Sequence, residues 1–144
     1  MPEPTPPFSF RHVFVYGTLR RGDVRDITRL RPEPRFIGMA SVAGALYDLG
    51  PYPGVVLGGP GRVVGEVYAI SPDLESQLDA IEEVWPQQTG EYSKRQVSAV
   101  LNEAAAPGGE MALQCLVYEI NPLRTAGKRL IASGDWLDGR LGQG

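Results

Sequence analysis

At 144 residues, with 42% hydrophobic and 22% charged side chains, the chain has the size and composition of one globular domain that buries roughly two thirds of the surface its unfolded form exposes. Its formal charge of −3 leaves no Lys/Arg excess to neutralise phosphates, which argues against a nucleic-acid partner. One cysteine, Cys115, rules out an internal disulfide, and no apolar stretch has the length of a bilayer span, so a cytoplasmic protein without a membrane partner is expected.

The first residues, Met1-Pro2-Glu3-Pro4-Thr5-Pro6-Pro7, put prolines and an acid where a signal peptide has basic and then apolar residues. They read as a flexible tail over residues 1–11. An apolar run of β-branched and aromatic residues, His12 to Tyr16, reads as a core strand and meets Gly17-Thr18-Leu19. A glycine directly after such a strand lets backbone approach a bound molecule that a side chain would block. Several amides there could point at one anion or carbonyl. Basic residues gather behind it at Arg20, Arg21, Arg25, Arg29 and Arg31; they are expected to form a solvated surface segment with one short helical turn.

Residues 35–49 read as a long bent strand, in which Gly38 and Gly44 mark bulges of the kind that closes a small barrel. A turn at Tyr52-Pro53-Gly54, a short strand over 55–57 and a tight hairpin connection at residues 58–61 lead into a strand over 62–70. The glycines at 58–61 lack the Lys-Ser/Thr of a phosphate-binding loop. Ser71-Pro72 is a helix start, Ser as N-cap and Pro at the first helical position, and the helix is expected to run to about Val84. Strands over 92–101 and 111–120 follow, separated by a polar segment and ended by Pro122; residues 126–144 are expected to hold a short helical turn and a Gly-rich tail from 138. Six strands, one main helix and glycine-induced bends predict an α+β domain over 12–137 built on a small closed or half-closed barrel.

Adjacent acids end that helix. With Leu74 at zero and 100° per residue, Leu78 falls at roughly 40° and Ile81 at roughly −20°, the buried stripe. Glu82 lies at roughly 80°, on its rim, and Glu83 at roughly 180°, facing water. A carboxylate at that rim is partly desolvated and feels the negative end of the helix dipole; both raise its pKa, as a general base and acid working near neutral pH requires. Glu82 is therefore the candidate catalytic residue, and Glu75, at a similar angle about 10 Å along the axis, is a candidate for the same groove. A single histidine, His12, and a single cysteine in an apolar run cannot make a structural zinc site or a Ser/His/Asp arrangement.

Tyr16-Gly17-Thr18-Leu19, Tyr52-Pro53-Gly54, Val64-Gly65-Glu66-Val67-Tyr68, Leu78-Asp79-Ala80-Ile81-Glu82, Tyr92 with Lys94 and Val97, and Ser133-Gly134-Asp135-Trp136 occur in that order. This ordered set resembles the γ-glutamylcyclotransferase-like family, in particular the AIG2-like branch with the γ-glutamylamine cyclotransferases. The resemblance implies a small mixed β-barrel with one main helix, in which the Tyr16 to Leu19 loop holds a γ-glutamyl group and Glu82 is the acid/base. It further implies a cofactor-free reaction of acyltransferase or lyase type, in which the α-amine of a γ-glutamyl amide attacks its own γ-carbonyl and releases 5-oxoproline and an amine.

The residues suit that chemistry. One carboxylate can take a proton from the attacking amine and return it to the leaving amine, and the amides around Gly17, Thr18 and Leu19 can hold the oxyanion. Tyr92 and Tyr118 are candidates for the pocket wall. Glu83 and Lys94 depart from the family's Gly and Arg, and residues 85–90 lengthen the loop after Glu82. The alternative is a non-catalytic binder of small molecules that uses the same pocket.

Overall fold

The computed structural model describes residues 11–82, 90–102 and 111–137; the expected tails, but for Arg11 in the first strand, together with Glu83 and Val84, lie outside them. Five strands, β1 (Arg11–Val15), β2 (Arg35–Asp48), β3 (Pro53–Ile70), β4 (Tyr92–Leu101) and β5 (Met111–Ile120), run in the order β3-β1-β5-β4-β2, and β2 pairs with β3 to shut the ring. The contact of β1 with β5 is parallel and the other barrel pairings are antiparallel, so the barrel is closed and mixed. A two-residue strand, β6 (Arg129–Leu130), sits on the end of β2 at Tyr47 and Asp48.

Closure requires a strand long enough to serve two neighbours and bent enough to reach both. β2 meets both needs: its register against β3 shifts between Phe36 and Gly38 and between Ala43 and Gly44, at the two glycines the sequence marks. A Cβ on Gly44 would lie 2.9 Å from the Val56 carbonyl oxygen, so the close pairing of β2 with β3 there requires glycine.

Residues 58–61 are not the expected hairpin. Leu57 pairs with Gly44 and Arg62 with the next residue back, Ala43, so 58–61 are four extra residues on a strand that keeps its partner throughout. Segments 55–57 and 62–70 both belong to β3, and the glycines, with φ of 94° at Gly58 and 84° at Gly59, step the chain outward instead of reversing it. The reversal comes earlier. Leu49 N–H donates to Tyr52 O at 3.0 Å, and Pro53 and Gly54, expected in the turn, already open β3. The short helical turn expected in the polar segment up to Arg31 is a 3₁₀ turn over Ile27–Arg29, and another over Pro122–Thr125 follows β5.

The helix α1 (Pro72–Ile81) starts where Ser71 and Pro72 predict, with Ser71 Oγ accepting from Leu74 N–H at 3.2 Å. Its last turn closes with Glu82 N–H on Leu78 O at 2.9 Å. Alternation along β1 and β5 divides the core in two. Phe14, Cys115 and Val117 join Val42, Val63 and Trp136 in the barrel cluster, whereas Val13, Val15, Leu116 and Ile120 join Leu74 and Leu78 beneath α1. Period two on the strands and 3.6 on the helix thus fix the helix end against the end of β1.

Candidate active site

At the end of β1 the Tyr16 hydroxyl donates to Tyr118 O at 2.6 Å and accepts from Val55 N–H at 3.3 Å. Gly17 follows because of a neighbour: a Cβ there would lie 2.7 and 2.9 Å from Cγ and Cδ of Pro53. The next carbonyls are all engaged by the protein, Gly17 O by Arg20 N–H, Thr18 O by Arg25 N–H and Leu19 O by Ile27 N–H, at 2.9 to 3.0 Å. In a trans peptide the N–H points opposite to the C=O. The Thr18 and Leu19 N–H groups therefore point away from the turn that consumes the Gly17 and Thr18 carbonyls.

This loop, the end of α1 and the tyrosines of β4 and β5 surround a cavity of about 350 Å³, within the range of small-molecule sites. Glu82, Tyr16, Gly17, Thr18, Leu19, Tyr92 and Tyr118 all line it, with Tyr52, Pro53, Arg25 and Glu91 among the other lining residues. Glu82 is half-buried at the helix cap, in keeping with its predicted position beside the Leu74–Leu78 stripe.

Burial raises the pKa of all three wall tyrosines well above the ordinary value. The Glu82 charge pushes each further, after the Tyr16 charge at Tyr92 and after the Asp79 hydrogen bond and charge at Tyr118. They stay neutral, and their protons are committed: Tyr92 donates to Pro53 O at 2.7 Å and Tyr118 to Asp79 Oδ1 at 2.8 Å. The rings shape the cavity while their hydroxyls tie its walls together.

Asp79 is a residue the sequence reading missed. It is buried and accepts from both Tyr118 and Lys94 Nζ, the latter at 2.9 Å. At roughly 140° from Leu74 it stands outside the apolar stripe; its burial comes from the tyrosine of β5 and the lysine of β4, which no helical periodicity reveals. Glu75, expected to share the groove, does not line the cavity. It is held instead by Arg11 Nη1 at 2.9 Å and Lys94 Nζ at 2.7 Å.

The basic cluster also departs from expectation. Arg20 is 4% exposed, with Nε on Glu66 Oε2 at 3.0 Å and Nη1 on Asp135 Oδ1 at 2.7 Å. Glu66 accepts as well from Arg21 N–H and the Tyr68 hydroxyl, both at 2.9 Å. Trp136 Nε1 donates to Asp23 Oδ2 at 2.9 Å. The Val64 to Tyr68 and Ser133 to Trp136 motifs thus brace the loop from behind and do not line the cavity. Arg21, Arg25, Arg29 and Arg31 are exposed, as expected.

Burial pushes the Cys115 thiol up to about 12, so it stays protonated and inert. No cluster of three or more His, Cys, Asp or Glu among the described residues could hold a metal ion.

The family model described as γ-glutamyl cyclotransferase, AIG2-like, matches residues 13–138. The chain belongs to that family of enzymes. The γ-glutamylcyclotransferase family protein YtfP of Escherichia coli K12 is 35% identical over 129 residues, covering 88% of this chain and 96% of the relative. A Homo sapiens protein named γ-glutamylaminecyclotransferase is 34% identical over 128 residues, covering 74% of this chain and 76% of its own. The crystal structure of an AIG2-like protein from Mus musculus superposes with a TM-score of 0.64 at 26% identity, covering 83% of this chain and 84% of the other. The mixed barrel with one main helix is therefore the fold of this family. No helix among the described residues is long and apolar enough to cross a membrane.

Proposed function

We propose that the chain is a cofactor-free γ-glutamyl cyclotransferase that acts on γ-glutamyl amines or related amides as a single domain over 12–137, in a reducing, cytoplasmic compartment suited to its lone buried thiol. Glu82 is the general base and acid. It takes a proton from the substrate's α-ammonium; the freed amine nitrogen attacks the γ-carbonyl carbon, and the ring C–N bond forms. The carbonyl electron pair moves to oxygen, where the Thr18 and Leu19 N–H groups stabilise the oxyanion. Glu82 passes this first proton to the leaving nitrogen, whose bond breaks as the oxyanion collapses. It then takes the second proton from the ring nitrogen and hands it to the departing amine, giving 5-oxoproline and an ammonium product. Protons balance, and no water or outside nucleophile enters.

One observation carries the reading: the half-buried carboxylate at the end of α1 shares a single cavity with a backbone loop whose N–H groups oppose its engaged carbonyls. A substrate that brings its own nucleophile needs these two elements and no activated Ser or Cys. The test is 5-oxoproline release from γ-glutamyl amines, γ-glutamyl amino acids and glutathione, run beside Glu82→Gln. Release that vanishes in the folded variant supports the reaction and the base. A folded wild-type protein that binds these compounds without releasing 5-oxoproline is instead a small-molecule binder.

A further inference from the structure

Arg25 lines the cavity, and its backbone is pinned there by the bond from its N–H to Thr18 O at 2.9 Å. The acids beside it in sequence are committed elsewhere. Asp23 accepts from Val24 N–H at 2.8 Å and from Trp136 Nε1 at 2.9 Å. Asp26 accepts from the N–H groups of Gly22 and Thr28, at 2.9 and 2.8 Å, and from Thr28 Oγ1. The nearby lining carboxylate Glu91 accepts from the Tyr52 hydroxyl at 2.7 Å and faces Arg124 at 4.0 Å. The Arg25 charge nevertheless reaches into the site: the Tyr52 pKa, raised by the Glu91 hydrogen bond, by burial and by the Glu91 charge, is pulled back by Arg124 and Arg25. Arg25 is thus an exposed residue on the wall of a cavity that also carries the acids Glu82 and Glu91.

We propose that Arg25 binds a carboxylate carried by the leaving amine, so that the site prefers γ-glutamyl amino acids or peptides to γ-glutamyl derivatives of uncharged amines; this rests on the cyclotransferase reading above. In this binding mode the carboxylate of the γ-glutamyl head, which shares a carbon with the attacking amine, is held with that amine near Glu82, and the leaving portion runs from the reacting carbonyl towards Arg25. A substrate with two carboxylates approaching Glu82 and Glu91 is repelled unless a cation offsets the second charge, and the planar guanidinium accommodates a carboxylate with two parallel N–H donors.

The experiment compares γ-glutamyl-alanine with γ-glutamyl-alaninamide, which differ in that one carboxylate. Two quantities are read: the ratio of kcat/KM in the wild type and Arg25→Gln, and the ratio of calorimetric affinities in the Glu82→Gln protein with and without Arg25→Gln. We expect a preference of about tenfold or more for the carboxylate, the size of one charge-assisted hydrogen bond, reduced to about one by Arg25→Gln and partly kept by Arg25→Lys. Turnover of both compounds with a ratio unaltered by Arg25→Gln overturns the inference and leaves the cyclotransferase reading standing. A binding preference that Arg25→Gln abolishes, without 5-oxoproline release from the wild type, supports the Arg25 contact and overturns the reaction. Binding of neither compound overturns both.

Discussion

The loop over residues 16–20 has two neighbours of opposite character. In front lies a solvent-connected cavity lined by a half-buried carboxylate, neutral tyrosines and the residues Gly17, Thr18 and Leu19. Behind lies a closed ionic cluster, Arg20 between Glu66 and Asp135, in which the Arg20 and Glu66 side chains are 5% and 6% exposed. Both sides are polar, yet the rear joins groups from three distant segments, whereas Glu82 stands at a helix end and lines the cavity. This contrast separates two consequences of substitution: changes in front should cost turnover before stability, and changes behind should cost stability first.

The largest expected effect tests the front. Glu82→Gln keeps the size of the side chain and removes its ability to carry a proton, so kcat should fall by about 10²- to 10⁴-fold, the usual contribution of a positioned acid/base, while the denaturant midpoint stays close to wild type. A large loss of stability with little loss of kcat would reverse the comparison. Arg20→Met tests the rear by leaving Glu66 buried without its cation, which typically costs about 3–5 kcal/mol in urea unfolding. A midpoint shift too small for that range would show that water reaches the cluster and the brace is loose.

The same contrast explains what the sequence could reveal. Gly38 and Gly44 announced the bends of β2, Ser71-Pro72 announced the start of α1, and helical angles distinguished Glu82 from the buried stripe, because each signal is local and periodic. Arg20 stood in a basic run that reads as solvated surface; the burial of its charge depends on Glu66 and Asp135, 46 and 115 residues away. Asp79 was hidden for the same reason. The hairpin expected at residues 58–61 followed from turn chemistry that was right about positive φ, but pairing with β2 overrode it. Local chemistry made the cavity-lining residues readable and left the long-range polar brace unreadable.

Two intermediate effects lie on the boundary between the faces. Gly17→Val drives a Cβ into the Pro53 ring, and such overpacking typically costs about 1–3 kcal/mol; ligand affinity should fall as well, since Pro53 and the loop share the cavity wall. Unchanged affinity in a folded variant would remove the loop from the site. Asp79→Asn weakens the acceptor of Tyr118 and Lys94, for which about 1–3 kcal/mol is expected, with a rise in KM as Tyr118 loosens. It also carries a pH signature. Burial lowers the Lys94 pKa, but its bonds to Glu75 and Asp79 outweigh this and hold it above the ordinary 10.5. A raised pKa of this kind contributes stability below pH 10.5 that is lost as pH rises through the folded value. The alkaline loss of stability should therefore be shallower in Asp79→Asn than in the wild type, as followed by urea midpoints above pH 10.

The smallest effect sharpens the comparison most, because it divides the brace itself. The Asp135 side chain is 28% exposed, and its Oδ1 accepts from both Arg20 Nη1 at 2.7 Å and Leu137 N–H at 3.1 Å. Asp135→Asn retains an oxygen for both donors and removes only the charge, in a position where solvent already screens it, so the loss should be at most about 1 kcal/mol. Glu66 still neutralises Arg20 in that variant. If the rear cluster holds the loop as a unit, Arg20→Met and Asp135→Asn should not add: once Arg20 is gone, the Asp135 charge no longer meets the Arg20 guanidinium, and the double variant should be no less stable than Arg20→Met alone. Additive losses would mean that the Ser133 to Trp136 segment is anchored by Trp136 and Asp23 independently of Arg20, and that the brace comprises two separate ties.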